Sequence, residues 1–150
     1  MHECQALVNT DLQWIVEELR DLPKQSSMFS NVPDDPQWVL NYFHAMLNNG
    51  ALFGAVNRAK ASFILGCITR PWYADRLEIH EMILWVPERF RGARTAIQLI
   101  RFFTELAMDY NPYCIHVGAT LDISNRDRTL KLYELTGYSR DGPTGAIMRL

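Results

Sequence analysis

A chain of 150 residues that is 48% hydrophobic and 21% charged is the size of one domain and can bury a useful core. Fifteen basic against seventeen acidic residues give a net charge of −2, so no global basic field exists to grip nucleic acid. No apolar run approaches the roughly 20 residues of a membrane span. The start, MHECQALV, lacks a basic region before an apolar one, so no signal peptide is expected. The cysteines Cys4, Cys67 and Cys114 lie far apart without CxxC spacing, which points to reduced thiols in a cytoplasmic setting.

In chain order, a short strand near Glu3 to Val8 leads into NTDLQWIVEELRDL, where Thr10 or Asp11 can cap a helix carrying Leu12, Ile15, Val16 and Leu19 at helical spacing. Pro23 to Pro36 is the one loop-rich region, and a second helix starts with Asp35 as cap and Pro36 in its first turn. ALFGAVN and SFILGCIT flank RAKA as a hairpin, and Arg76 to Val86 reads as a longer strand. A helix from about Arg94 to Tyr110 carries Ala96, Leu99, Ile100, Phe103, Leu106, Ala107 and Tyr110 on one stripe. Tyr113 to Ala119 is a strand apolar on both faces. A short helix, RDRTLKLYEL, stops at Gly137, a left-handed cap, and strands around Tyr138 to Arg140 and Ala146 to Leu150 finish the chain. The strand-helix-strand crossover makes Arg76–Val86 and Tyr113–Ala119 parallel neighbours within an otherwise antiparallel sheet. The expected class is α/β: one domain over residues 1–150, with a mixed, mostly antiparallel sheet and helices on both faces.

One turn carries chemistry. In VPERFRGARTA, Arg89, Arg91 and Arg94 crowd around Gly92 where a helix begins. A helix N-terminus already bears partial positive charge, so cations there call for an anion. Free backbone N–H groups, the small residues Gly92 and Ala93, and the arginines together suit a phosphate. A solvated basic turn that only links strand to helix is the competing reading.

The layout resembles the GCN5-related N-acetyltransferase superfamily over nearly the whole chain. That family's pyrophosphate loop runs Gln/Arg-x-x-Gly-x-Gly/Ala. Read from Arg91, the chain has Arg94 where glycine is usual and Ala96 at the end; read from Arg89, it has Gly92 as the first glycine and Arg94 at the end. The first reading is preferred because it places Leu99 and Ile100 where the family has paired apolar residues. LKLYELTGY is similar to the family's late LYE..GF segment, with Tyr133 at its tyrosine. The loop and this segment also look like those of a phage-borne subgroup.

The resemblance implies a parallel strand pair that splays at the centre of the sheet. It further implies acetyl-CoA as acetyl donor without a metal, and direct attack of a primary amine on the thioester. The implied cofactor contacts are Leu84, Trp85 and Val86 on the strand, Arg89, Arg91, Gly92, Ala93, Arg94, Thr95 and Ala96 at the turn, and Asn125. A backbone N–H of Leu84 or Trp85 would polarise the thioester carbonyl, and Tyr133 would serve the leaving thiolate. The base is sought in LEIHEMIL, which offers Glu78, His80 and Glu81. Strand alternation puts Glu81 on the face of Leu77, Ile79, Ile83 and Trp85, and Glu78 and His80 with Met82 and Leu84. A carboxylate on an apolar face is costly and has a raised pKa, which suits a base. Pairing with Arg70 or Arg76 would instead make it structural.

The four histidines show no ligand spacing, so no metal site is expected. The acceptor groove is sought at the loop with Met28, Phe29, Val32, Asp34 and Asp35, and at Trp72 and Tyr73. Small-molecule and protein amines both remain open. Expected partners are the coenzyme A thioester and this amine, with a second copy of the chain as a further candidate and no membrane or nucleic acid. The expected location is cytoplasmic, in the host for a phage protein. The alternative reading is a silent acyl-CoA-binding or interaction module with the same fold.

Overall fold

A computed structural model describes residues 3–20, 22, 31–118 and 126–150. The strands are β1 (Gln5–Ala6), β2 (Leu52–Asn57), β3 (Ser62–Thr69), β4 (Glu78–Trp85), β5 (Cys114–Gly118), β6 (Ser139–Asp141) and β7 (Gly145–Arg149). The helices are α1 (Leu12–Leu19), α2 (Pro36–Asn48), α3 (Ala93–Met108) and α4 (Arg126–Leu135). The strands form one sheet in the order β1-β2-β3-β4-β5-β7-β6, in which β4 and β5 are parallel and every other pair is antiparallel. The crossover through α3 produces this parallel pair, as the sequence pattern indicated. Among the described residues no helix is long and apolar enough to cross a membrane.

Period-two alternation divides the sheet's side chains between two cores. Leu52 and Val56 of β2, with Phe63 and Leu65 of β3, pack under Leu12, Ile15 and Val16 of α1 and Phe43 of α2. Phe53 and Ala55, with Ile64, Ile79 and Ile115, pack under Leu99, Ile100 and Phe103 of α3 and Leu130 and Tyr133 of α4. Phe53 and Phe103 stack with centroids 4.9 Å apart. Burial of each large apolar side chain contributes about 1.5–3 kcal/mol.

The ends of the helices follow local chemistry. Asp35 accepts the Trp38 N–H at 3.1 Å and caps α2, with Pro36 at the first position. Helix α4 ends in a Schellman pair: the N–H of Tyr138 reaches the carbonyl of Tyr133 at 3.1 Å, and that of Gly137 reaches Glu134 at 3.2 Å. Gly137 has φ +103°, a conformation that side chains oppose. Asp11 differs from the expected cap. It lies at the end of a 3₁₀ turn (Asn9–Asp11), is only 2% exposed, and makes no side-chain cap bond to α1. Its carboxylate instead binds Arg58 at 2.7 and 2.8 Å and accepts from the Val8 N–H and Trp14 Nε1.

Candidate active site

The parallel ladder between β4 and β5 has three rungs: Glu78 with Cys114, Ile79 with Ile115, and His80 with His116. Both strands run on, to Trp85 and Gly118, without pairing further with each other. The side chain of Glu81 stands where the next rung would be, its Oε2 accepting the Gly118 N–H at 3.2 Å. Past this point β4 is paired, among the described residues, only with β3, Ile64 opposite Leu84 and Phe63 opposite Trp85. Successive N–H groups of a strand point to opposite edges, so one of Leu84 and Trp85 directs its N–H into the gap.

A β-bulge sets which residues share the face of Glu81. Leu65 pairs with Ile83 and Gly66 with Glu81, which leaves Met82 as the extra residue of β4. The bulge reverses the alternation beyond it and corrects the sequence expectation. Ile83 and Trp85 pack with α1 and α2, whereas Leu84 joins Ile79 on the α3/α4 side. Glu81 lies opposite Gly66, where an added Cβ would meet Phe103 of α3 at 2.6 Å. Glu81 thus shares a face with Ile79 and Leu84, not with Ile83 and Trp85, and Leu84 leaves the face of Glu78 and His80.

Burial dominates the electrostatics of Glu81 and pushes its pKa up to about 8, against the opposing Gly118 N–H. Neither Arg70 nor Arg76 neutralises it: Arg70 binds Asp75 at 2.7 Å, and Arg76 binds Asn111 and the Pro112 carbonyl. The Tyr133 ring is fully buried, packed edge-on to Tyr138 at 5.6 Å. Its hydroxyl has no hydrogen-bond partner among the described residues. Burial, then the nearby Glu81 charge, hold its pKa well above the ordinary tyrosine value. A buried hydroxyl with no partner among the described residues can accept one from water or from a bound group.

The opposite face of the same rungs carries a polar cluster that spacing along the sequence did not reveal. Glu78, 7% exposed, accepts from the Tyr113 hydroxyl at 2.9 Å and from His116 Nε2 at 2.8 Å, with His80 Nε2 3.3 Å from its other oxygen. Burial alone would raise its pKa. The bonds from Tyr113, His116 and His80 outweigh that and hold it down to about 2. The rings of His80 and His116 stack at 4.6 Å, and the Tyr73 hydroxyl reaches the same carboxylate at 3.4 Å. His116, Tyr113 and Cys114 were missed from sequence. The available signal was that Cys114 and His116 alternate on one strand as Glu78 and His80 do on its parallel neighbour.

At the arginine turn, a 3₁₀ turn (Glu88–Phe90) precedes α3, and Gly92 is its N-cap residue. Among the described residues no side chain caps α3, and no acid lies in its first turn, so its first N–H groups have no protein anion among them. Gly92 has φ 173°, extended backbone open to any residue, and a Cβ there would meet nothing within 4 Å. The three arginines divide. Arg89 binds Glu18 at 3.1 Å and lies over the Phe90 ring. Arg91 Nε donates to the Val86 carbonyl at 3.3 Å. Arg94 is exposed, with no bonding partner among the described residues. Thr95 and Ala96 turn inward, Thr95 Oγ1 taking the Lys60 ammonium at 3.3 Å. Trp85 is buried, its Nε1 bonded to Glu18 at 3.2 Å.

Among the acceptor candidates, Trp72 is 96% exposed, and Tyr73 and Val32 are also open to solvent. Asp34 binds Arg20 at 2.7 Å. Asn125, Met28 and Phe29 lie outside the described residues.

No family model matches the chain, and no curated protein does. Solved structures do match. An N-acetyltransferase from Staphylococcus aureus Mu50 superposes with a TM-score of 0.74 at 17% identity, over 97% of this chain and 96% of its own. The fold is that of an N-acetyltransferase. A predicted acetyltransferase with acetyl-CoA from Clostridium acetobutylicum matches with a TM-score of 0.69 at 13% identity, over 93% and 90%. A GCN5-related N-acetyltransferase from Ralstonia eutropha JMP134 matches with 0.64 at 15%, over 93% and 94%. The N-acetyltransferase fold thus covers nearly the whole chain at identities that speak to architecture.

Proposed function

We propose that the protein is an acetyl-CoA-dependent N-acetyltransferase acting on a primary amine. The observation that carries this is the break in the β4–β5 ladder, with the raised-pKa carboxyl of Glu81 in the gap and an orphan hydroxyl, Tyr133, close enough to feel its charge. The residues present fit the donor: the bare N-terminus of α3 and the open Arg94 suit its pyrophosphate, and the orphan Tyr133 hydroxyl suits a sulfur. Acetyl-CoA, when bound, would supply the activated acetyl thioester. Leu84, Trp85, Val86, Arg89, Arg91, Gly92, Ala93, Arg94, Thr95, Ala96 and Asn125 remain the candidate contacts for its body, with Arg89 tied chiefly to Glu18.

Glu81 takes the proton from the amine, directly or through water, and leaves nitrogen its lone pair for the carbonyl carbon. An ammonium could not attack, and a base with a pKa of about 8 is matched to work near neutrality. The N–H directed into the gap from Leu84 or Trp85 stabilises the developing oxyanion. As the C–N bond forms and the C–S bond breaks, the nitrogen sheds its second proton to solvent, Tyr133 donates a hydrogen bond to the departing thiolate, which takes its proton from solvent, and Glu81 releases to solvent the proton it took from the ammonium. A specific observation favours a second base. His80, held by Glu78, presents 42% of its side chain on the α1/α2 face, where the acceptor groove was sought. The likeness to a phage-borne subgroup rests on the arginine turn, the aromatic-rich strand before it and the LYE segment. The acceptor amine, the cytoplasmic setting, the single-domain organisation and a homodimer complete the reading as proposals.

The test is incubation with acetyl-CoA and a panel of polyamines, aminoglycosides and peptide amines, reading thiol release and product mass together. Matched thiol release and N-acetylation support the reading. Coenzyme A binding without transfer to any amine would favour a silent acyl-CoA-binding module.

A further inference from the structure

The rungs that close the parallel ladder set four donors on one face: Glu78 opposite Cys114 and His80 opposite His116. Glu78 Oε1 lies 2.8 Å from His116 Nε2 and 3.7 Å from Cys114 Sγ, and Sγ lies 3.2 Å from that same nitrogen. These three ligand atoms all fall within 4.8 Å of one another. Tetrahedral zinc holds N, O and S ligands at about 2.0–2.3 Å, which sets the edges between ligand atoms at roughly 3.3–3.7 Å. The observed triangle needs shifts of only about half an ångström to meet that geometry. His80 Nε2, 3.3 Å from the second Glu78 oxygen, stands beside the open fourth corner.

The surroundings complete such a site. The Tyr113 hydroxyl donates to Glu78 Oε1 at 2.9 Å and orients the carboxylate, as the outer shell of a metal centre does. Glu78 and Cys114 are buried, while the histidine side chains are 32% and 42% exposed, which leaves an approach from solvent. A nucleophilic role for Cys114 does not fit: burial and the neighbouring Glu78 charge raise its pKa, the reverse of an activated thiol.

We propose that Glu78, Cys114 and His116 bind a zinc-class divalent ion, with His80 or water as fourth ligand. The ion clamps β4 to β5 at the last paired rung before they separate. Acetyl transfer based on Glu81 does not involve the ion, and binding is read out apart from that activity; an ion that took His80 as fourth ligand would remove it as a base. On binding, the Cys114 thiol gives up its proton to solvent and the sulfur becomes a thiolate ligand, so affinity rises with pH.

The experiment is titration of chelator-stripped full-length protein with Co²⁺, followed by absorbance and then by displacement with Zn²⁺. The expected result is a saturable thiolate-to-cobalt charge-transfer band with intense four-coordinate visible bands, both removed by zinc. Cys114→Ser should lose the charge-transfer band and Cys67→Ser should keep it. Tyr113→Phe should weaken binding by about tenfold or more, as loss of an outer-shell partner does. Absence of the band in folded wild-type protein, or its survival in Cys114→Ser, would overturn the site. The wild-type titration decides the matter even where a variant fails to fold.

Discussion

Replacing Glu81 by glutamine separates a catalytic carboxylate from a merely buried one. The amide keeps the shape and can still accept the Gly118 N–H, now 3.2 Å from Glu81 Oε2. The folded pKa of about 8 lies above the ordinary 4.5, so the fold favours the protonated acid. For a raised pKa, the stability tied to the group is intact below pH 4.5 and is lost as pH rises through about 8. The gap of about 3.5 units corresponds to at most about 5 kcal/mol. Glu81 is only half-buried by surface exposure, so solvent screens that, and about 1–2 kcal/mol is the expected cost of ionised Glu81 above pH 8. Glu81→Gln should therefore melt higher than wild type at about pH 9 and alike at about pH 4. Its turnover should fall by roughly 10²-fold near neutrality and partly recover at high pH, where more amine is free. The wild-type kcat/KM should climb with an inflection near 8, and the variant should lack it. Melting and turnover are read on one preparation across pH. A variant that is less stable at high pH yet turns over normally per folded molecule would refute the base assignment. Loss of the inflection in His80→Gln alone would transfer the role to the Glu78–His80 pair.

Tyr133→Phe should lower kcat while coenzyme A affinity stays nearly constant, since the contact matters chiefly as the thiolate leaves. Its melting temperature should hold or rise, because the hydroxyl removed is buried without a partner among the described residues. Gly66→Ala should cost about 1–3 kcal/mol in denaturant melts, the range for overpacking; the added carbon would come within 2.6 Å of the Phe103 ring. Asp11→Ala should cost about 2–4 kcal/mol by leaving Arg58, the Val8 N–H and Trp14 without their shared acceptor. Its lowered pKa puts that contribution above the ordinary 3.8, to be lost on acidification, so the gap between variant and wild type should narrow in acid melts.

The order of elements was legible because hydrophobic period reports local structure directly, and the crossover rule then made Arg76–Val86 and Tyr113–Ala119 parallel neighbours. Asp35 and Gly137 were legible for the same reason, each acting within a few residues of itself. What alternation could not give was the Met82 bulge. It arises from pairing with β3, leaves Glu81 with Ile79 on the α3/α4 face, and moves Ile83 and Trp85 to the α1/α2 face. Contacts across long stretches were equally hidden. Arg58 claims Asp11 from 47 residues away and Glu18 claims Arg89 from 71, which turns a helix cap and a phosphate arginine into ion pairs. The Glu78–His116 bond spans 38 residues and only the parallel register brings it about.

The central claim, that the N-terminus of α3 holds the pyrophosphate of coenzyme A, is tested most directly by calorimetric titration of coenzyme A into wild type and Gly92→Asp. The substitution is mild for the fold, since φ at Gly92 is 173° and a Cβ there meets nothing within 4 Å. What it adds is a negative charge beside the open helix N-terminus. Wild type should bind, and the variant should lose more than about tenfold in affinity, about 1.4 kcal/mol or more. Equal affinity in a folded Gly92→Asp variant would place the cofactor elsewhere.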